Sequence, residues 1–236
     1  MNKRVKKDYE ALAKRYDFYA QTLRQNDYEE LRSFLPRQVH RTLDAGCGSG
    51  ILTLQLTEHV NHVVGIDISH SMISLAMLRK NQLQRNNVDF VIADLENPPF
   101  REQTFDFITS RAVLHYTKMT STLPNLSRLL RPRGRIAICD YVNGNPRLNQ
   151  SFIWFLLHAI ITALRYALSY NPLTSWRLII FHLHPRWIKH LYYNKKLLRG
   201  TYQSIFRKYL PGCKFKIDPK SPWKIVVFWE TPKPEK

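Results

Sequence analysis

The spacing of hydrophobic and polar residues changes along this chain, and each change predicts the start of a new helix or strand. Residues 3–33 are polar with apolar positions at a loosely helical spacing, which predicts one or two helices before Pro36. From residue 39, short apolar segments alternate with segments of helical spacing. The predicted strands are 39–43, 63–66, 90–92, 105–108 and 135–140, and the predicted helices between them are 51–59, 69–83 and 123–130. Residues 131–134, Arg-Pro-Arg-Gly, are expected to end the last of these helices.

Strands that alternate with helices in this way are typical of a parallel sheet covered by helices on both faces, with right-handed crossovers. Residues 146–210 hold many apolar and aromatic residues but no good strand, so about three helices are expected there. The strand pattern returns at 213–217 and 225–229, which predicts a closing antiparallel hairpin at the sheet edge. We therefore predict an α/β fold with a doubly wound, mostly parallel seven-stranded sheet, an antiparallel C-terminal hairpin and a helical cap insertion.

The charge of the chain is strongly positive and unevenly distributed. Lys and Arg number 36 against 18 Asp and Glu, so the formal net charge is +18. Residues 141–217 hold 12 of the basic side chains and no carboxylate. Such a segment attracts phosphates or anionic lipid, and a basic solubilising surface is the alternative interpretation.

Cysteine content and the N-terminal sequence predict a reducing, cytoplasmic environment. The three cysteines, Cys47, Cys139 and Cys213, are too few and scattered for a disulfide framework and show no zinc spacing. The basic N-terminus is not followed by the apolar run of a secretory signal. The apolar segment 152–164 is shorter than the roughly 20 residues of a membrane span. It is expected to be either a buried core helix or a cap helix that touches lipid or an apolar substrate.

The most informative motif is the turn 43–50, Leu-Asp-Ala-Gly-Cys-Gly-Ser-Gly, between the first predicted strand and helix. Its glycines permit positive φ and let a ligand approach bare backbone. A dinucleotide fingerprint would need glycine where Ile51 stands, which counts against NAD. Asp67 ends the second strand, where it could accept both hydroxyls of a ribose, and Asp94 follows the third. These three strand ends are expected to converge on one ligand crevice.

These motifs resemble those of the class I S-adenosylmethionine-dependent methyltransferases, especially the small, methyltransferase type 11-like kind that acts on metabolites and lipids. The matching pieces, in family order and spacing, are 43–50, 65–69, Met72, 93–95, 105–115 and 130–135. The resemblance implies a Rossmann-like fold and S-adenosylmethionine as the cofactor. It also implies one methyltransferase domain in 1–236, with N-terminal helices in 1–36, a cofactor-binding core in 37–140, a helical substrate cap in 141–210 and a closing hairpin in 211–231.

The resemblance also implies individual roles. The cofactor-binding residues would be Tyr16 in the leading helix, Asp44, Gly46 and Gly48 in the glycine turn, Asp67, Ile68 and Met72 after the second strand, Asp94 and Leu95 after the third, and Ser110 and Arg111 after the fourth. Asp67 would hold the ribose, and Asp94 and the Leu95 backbone the adenine. Turn formation by Asp67 and simple packing by Tyr16 are the alternatives.

The reaction implied is displacement at a sulfonium methyl group, in which the protein mainly orients the reactants. His115 is the candidate catalytic base after the fourth strand, and pocket shaping or helix capping is its alternative role; Tyr116 has the same two interpretations. Ser110-Arg111-Ala112-Val113 stands where an Asn-Pro-Pro-Tyr-like run would indicate nucleobase or glutamine methylation, which disfavours that branch. No metal is expected, because His182, His184 and His190 have no carboxylate nearby in a basic segment.

The acceptor remains open at this point. Three roles of the cap are considered, in order of preference. It covers a pocket for a small apolar molecule with a phosphate or carboxylate; it lies on an anionic membrane and takes its substrate from there; or it binds RNA through residues 141–217. A cytoplasmic enzyme with peripheral membrane contact fits the second alternative. A domain that binds S-adenosylmethionine without catalysis is the alternative to an enzyme.

Overall fold

The computed structural model describes residues 3–23, 27–143, 152–194, 196–219 and 221–232. The helices are α1 (Lys3–Leu23), α2 (Asp27–Arg32), α3 (Ile51–Leu56), α4 (His70–Gln82), α5 (Met119–Leu129), α6 (Phe152–Ser169), α7 (Pro172–His182), α8 (Pro185–Tyr193) and α9 (Arg199–Tyr209). The strands are β1 (Arg41–Ala45), β2 (His62–Asp67), β3 (Val88–Ile92), β4 (Phe105–Arg111), β5 (Leu130–Tyr141), β6 (Lys214–Asp218) and β7 (Ser221–Glu230). Leu114–Tyr116 form one 3₁₀ turn after β4.

The strands form one sheet in the order β3-β2-β1-β4-β5-β7-β6. The first five are parallel, and β7 pairs antiparallel with both β5 and β6. This arrangement confirms the predicted α/β fold class, including the C-terminal hairpin and the inserted helices. The strand order reverses at β1 and β4, so the crevice between their carboxyl ends is the expected ligand site of an open α/β sheet.

The segment 119–135 differs from its sequence prediction. Helix α5 begins at Met119, four residues before the predicted start, because Met119 and Thr122 extend the buried face that continues at Leu123 and Leu126. The helix ends at Leu129, before residues 131–134 as expected, but β5 begins at Leu130 and not at the predicted residue 135. Leu130 pairs with Phe105, and the pairing resumes in a shifted register further along the strand. Arg133 absorbs this irregularity with φ at +63°.

Helices cover both faces of the sheet. On one face α5 and α9 pack through Leu123, Leu126 and Phe206, and on the other α3 packs through Leu52 and Leu56. A third cluster joins α1 to α7 and α8, with Leu12 of α1 against Phe181 and Trp187. The inserted helices are therefore fastened to the first helix of the chain. Across the described ranges, no helix is both long and apolar enough to cross a membrane.

Candidate functional site

A cavity of about 780 Å³, measured with the space at its mouth, opens at the carboxyl ends of β1, β2, β3 and β4. Helix α1 forms one wall of the cavity. Its lining residues are Val5, Tyr9, Tyr16, Ala20, Asp44, Gly46, Cys47, Ser49, Ile51, Leu52, Asp67, Ile68, Ser69, Ala93, Leu95, Arg111, Ala112, Val113 and Tyr116.

The glycine turn owes its shape to Gly46. Its φ is +80°, and a Cβ atom there would lie 2.5 Å from a methyl group of Val113. The N–H groups of Gly46 and Cys47 both donate to the Ile66 carbonyl, 2.8 and 2.9 Å away. These bonds hold the turn against the end of β2. The loops after β1 and β4 therefore meet at a position where only glycine fits.

Asp67 lies at the cavity where β2 ends. Its two carboxylate oxygens accept hydrogen bonds from the N–H of Gly48 at 3.0 Å and the N–H of Ser69 at 2.9 Å. Burial raises the pKa of Asp67 from 3.8 to about 6, although both hydrogen bonds oppose the shift. The carboxylate is thus oriented by backbone and ionised at neutral pH. It can accept hydrogen bonds from a diol such as a ribose.

Asp44 supplies a second carboxylate to the cavity, at the end of β1. The Thr53 hydroxyl donates to its Oδ2 at 2.6 Å, and the residue is 1% exposed. Burial raises the pKa of Asp44 to about 6, against this hydrogen bond and the positive charge of Arg111. Asp44 and Arg111 are thus oppositely charged groups on one cavity wall, which suits a ligand with both an amino and a carboxyl group.

The structure brings together most of the predicted cofactor-binding residues and leaves others outside the cavity lining. Those that line it are Tyr16, Asp44, Gly46, Asp67, Ile68, Leu95 and Arg111. Four are not among the lining residues. Gly48 donates to Asp67, Met72 is buried in α4, Asp94 accepts from the N–H of Glu96, and the Ser110 hydroxyl donates to the Ala45 carbonyl at 2.7 Å. Their assigned roles stay predictions.

His115, the predicted base, also lies outside the cavity lining. Its Nδ1 contacts the Asp140 carboxylate, and its backbone N–H donates to the same group at 3.0 Å. Asp140 is fully buried and also accepts a hydrogen bond from the Tyr202 hydroxyl at 3.1 Å. The remaining His115 nitrogen, Nε2, is buried without a hydrogen-bond partner among the described residues. The imidazole contacts the Tyr116 ring at a tilt of 51°, with ring centres 3.9 Å apart.

Tyr116 does reach the cavity, and a hydrogen-bonded chain stands behind it. His190 Nε2 lies 3.0 Å from the Tyr116 hydroxyl, and His190 Nδ1 lies 3.0 Å from the Asp8 carboxylate. Because that carboxylate accepts, it favours the proton on Nδ1 and leaves Nε2 to accept from Tyr116. His190 is fully buried, and burial lowers its pKa against the effect of Asp8. The sequence alone did not reveal this hydrogen-bonded chain, because Asp8, Tyr116 and His190 are far apart in the sequence.

Helix α1 is held over the cavity by two acidic residues that the sequence analysis did not single out. The Glu10 carboxylate accepts from the N–H groups of His70 at 2.7 Å and Ser71 at 3.0 Å, the first residues of α4. Further along, Asp17 accepts two hydrogen bonds from one guanidinium nitrogen of Arg79, at 2.9 and 3.0 Å. Spacing within α1 does not mark these residues, since their partners lie about 60 residues away.

The three histidines of the inserted helices have separate surroundings. His182 packs beside Tyr19 and Tyr166, His184 caps α8 by accepting from the N–H of Arg186, and His190 belongs to the chain described above. In the described parts of the chain, no three His, Cys, Asp or Glu side chains are grouped to hold a metal ion.

Comparison with known proteins agrees with this geometry. Residues 43–138 match the family model described as a methyltransferase domain. The chain is 34% identical over 139 residues to the biotin biosynthesis bifunctional protein BioHC of Cellvibrio japonicus, covering 58% of this chain and 27% of that protein. It is 31% identical over 127 residues to the 2-phytyl-1,4-naphtoquinone methyltransferase of a Nostoc species, covering 52% of this chain and 56% of that one.

Among solved structures, the chain is similar to the N-methyltransferase NodS of Bradyrhizobium japonicum in complex with S-adenosylhomocysteine. The TM-score is 0.56 at 15% identity, with 89% of this chain and 87% of NodS covered. This similarity shows the fold. The chain spans between about a quarter and just over half the length of the curated relatives named above. S-adenosylmethionine is the family's cofactor, as expected from the motifs. Residues 43–138 are therefore a methyltransferase domain of the class I S-adenosylmethionine-dependent family, which confirms the family predicted from the sequence.

Proposed function

We propose that this protein transfers a methyl group from S-adenosylmethionine to a small acceptor that is largely apolar and has an ionisable oxygen. The observation that carries the proposal is the composition of the cavity. Two carboxylates and Arg111 converge on one side of it, while Tyr9, Tyr116 and Val113 line it beside α1. The charged side suits the cofactor, and the aromatic side suits an apolar acceptor.

The residues at the strand ends fit the cofactor. The Asp67 carboxylate, fixed by Gly48 and Ser69, is an acceptor for ribose hydroxyls, and Arg111 is a donor for an amino-acid carboxylate. The glycine turn brings bare backbone to the same space. When bound, the cofactor supplies an electrophilic methyl group together with its own leaving group. The protein then contributes orientation and the exclusion of water by α1.

Tyr116 is the residue that we assign to the acceptor proton. Its hydroxyl can take a proton from an acceptor O–H group while it gives its own proton to His190 Nε2. The Asp8 carboxylate then stabilises the imidazolium that forms, so the charge is compensated at each stage. His190 and Asp8 act as positioning residues behind Tyr116. One relative by name methylates a naphtoquinone, an apolar ring carrying oxygens, which is consistent with this class of acceptor.

A binding assay and a turnover assay test the proposal in sequence. S-adenosylhomocysteine should raise the melting temperature of the protein, because it binds only the native state. Labelled S-adenosylmethionine should then transfer its methyl group to an organic-soluble compound in cell extract. Binding without any transfer to extract would overturn the enzymatic assignment in favour of a non-catalytic binding module, and transfer to RNA instead would overturn the small-molecule acceptor.

A further inference from the structure

Helices α6 and α7 form a hairpin with two distinct faces. The inner face of α7 is buried through Ser175, Leu178 and Phe181. The Ser175 hydroxyl donates to the Tyr166 carbonyl at 2.8 Å and ties the two helices together. The outer face, which we call the α6–α7 outer face, consists of exposed apolar residues: Ile161, Leu164 and Leu168 on α6, and Leu173, Trp176 and Leu183 along and just after α7.

The spacing of the exposed apolar residues places them on one side of each helix. On α6 the residues follow at intervals of three and four. On α7, Leu173 and Trp176 are three residues apart and Leu183 follows seven residues later, so each set lies on one side of its helix. Leu168 is 89% exposed, Leu173 67% and Trp176 62%. An apolar area of this extent on a soluble protein marks an interaction surface. The opposite stripe of α7 is occupied by core contacts, so the outer residues have no role in that core.

Cations, and no acids, accompany the apolar stripes. Arg165 and Arg177 are exposed beside Leu164 and Trp176 in sequence, and α8 adds exposed Arg186 and Lys189. The whole segment 141–217 contains no carboxylate. Aromatic and aliphatic side chains among cations are typical of helices that lie in the interface of an anionic bilayer. A second copy is a poor occupant, because pairing would bring two acid-free cationic segments together.

We propose that the α6–α7 outer face docks on the surface of a membrane that contains anionic lipid. Leu164, Leu168, Leu173 and Trp176 would enter the boundary between headgroups and acyl chains, and the neighbouring arginines would contact lipid phosphates. The docked hairpin lies next to the cavity cover. Phe181 and Trp187 pack against Tyr16 of α1, with ring centres 6.3 and 5.7 Å apart, and Tyr16 lines the cavity. An apolar acceptor held in the bilayer would thus be close to the site.

Vesicle sedimentation tests the docking surface with the full chain and no cofactor. The probes are vesicles of phosphatidylcholine alone and of phosphatidylcholine with about a third phosphatidylglycerol. We expect strong sedimentation with the anionic vesicles, little with the neutral ones, and a decrease with added salt. The double variant Leu168→Ser/Trp176→Ser should weaken the partition coefficient by roughly tenfold or more, because two apolar side chains no longer enter the interface.

Matched controls distinguish binding through the α6–α7 outer face from nonspecific binding by exposed apolar residues. Leu78 on α4 and Trp223 on β7 are similarly exposed, at 59% and 52%, and lie outside the hairpin. The variant Leu78→Ser/Trp223→Ser should sediment like the wild type, while Arg165→Gln/Arg177→Gln should lose the preference for anionic vesicles and Arg101→Gln should keep it. Circular dichroism verifies that each variant is folded.

Several outcomes would overturn the proposal. These are equal binding to neutral and anionic vesicles, equal loss in the control variants, or a concentration-dependent dimer that the Leu168→Ser/Trp176→Ser variant abolishes. Retained vesicle binding in that variant, together with displacement by single-stranded RNA, would assign the cations to nucleic acid instead. Because no cofactor is present, failure here leaves the methyltransferase proposal intact. Failure to bind S-adenosylhomocysteine would likewise leave the vesicle result standing.

Discussion

Removal of the Asp67 carboxylate is the sharpest test of the cavity assignment. Asp67 is the acceptor best placed at the end of β2, with its orientation fixed by the N–H groups of Gly48 and Ser69. Its pKa of about 6 leaves it ionised at pH 7.5, so it can make charge-assisted hydrogen bonds to two ribose hydroxyls. Such bonds contribute roughly 1.5–3 kcal/mol each. We expect Asp67→Ala to lose about 3 kcal/mol of binding free energy, roughly a hundredfold in affinity.

Isothermal titration calorimetry with S-adenosylhomocysteine measures this loss directly. Asp67→Asn keeps the shape and one acceptor oxygen, so its loss should be intermediate, roughly tenfold. Asp89→Ala is the matched control, because Asp89 is 61% exposed and pairs with His62 away from the cavity. Urea unfolding without ligand shows whether the N–H groups of Gly48 and Ser69 tolerate the missing acceptor. An affinity within about twofold of the wild type, in a folded Asp67→Ala protein, would refute the assignment.

Three further changes have expected outcomes. Affinity for S-adenosylhomocysteine, measured by calorimetry across pH, should fall below about pH 6, because Asp44 and Asp67 take up protons there in the free protein. The stability of the ligand-free protein should instead increase as the pH falls from about 6 to about 4, because the same carboxyl groups stay ionised to lower pH in the unfolded chain. An affinity that does not change with pH would contradict this. Tyr116→Phe should lower kcat about a hundredfold and shift its pH profile, with far less effect on S-adenosylhomocysteine affinity; an unchanged kcat would exclude Tyr116 as the proton acceptor. Gly46→Ala should destabilise the fold by about 2 kcal/mol or more, because positive φ and the contact with Val113 act together. Gly212→Ala is the control, because Gly212 has φ at +82° but open space around it, so this variant measures the cost of φ alone. Equal urea midpoints for the two variants would contradict the close approach of Val113 to Gly46.

The sequence predicted the elements that depend on local pattern. Buried strands such as β2 and the glycine turn were placed correctly because apolar runs and glycine spacing are local properties. The start of α5 was missed because Pro124 resembles a helix boundary, while the buried face extends four residues further back to Met119. The fifth strand was predicted from residue 135, where continuous pairing with β4 begins. β5 already begins at Leu130 because Leu130 pairs with Phe105, and residues 131–134 lie between these two pairings, with φ of Arg133 at +63°.

Only some residues of the candidate site could be predicted from the sequence. Asp44 and Asp67 lie at the carboxyl ends of neighbouring parallel strands, so topology alone predicts that they meet. The partners of Tyr116 could not be found in that way, since His190 lies 74 residues further along and Asp8 lies near the other end of the chain. The contact between His115 and Asp140 was not predicted, although β4 and β5 are neighbours in the sheet and bring the two side chains together.

The absence of acidic residues from 141–217 has a consequence for how the chain holds together. Two described residues of this segment pair with carboxylates of the N-terminal helices: His190 of α8 pairs with Asp8, and Lys216 of β6 pairs with Glu30 at 2.8 Å. Deleting the first 32 residues would therefore remove the partners of His190 and Lys216 as well as opening the cavity. The N-terminal helices and residues 141–217 are thus expected to fold together. Affinity tags or fusions are therefore better placed at the C-terminal end than ahead of α1.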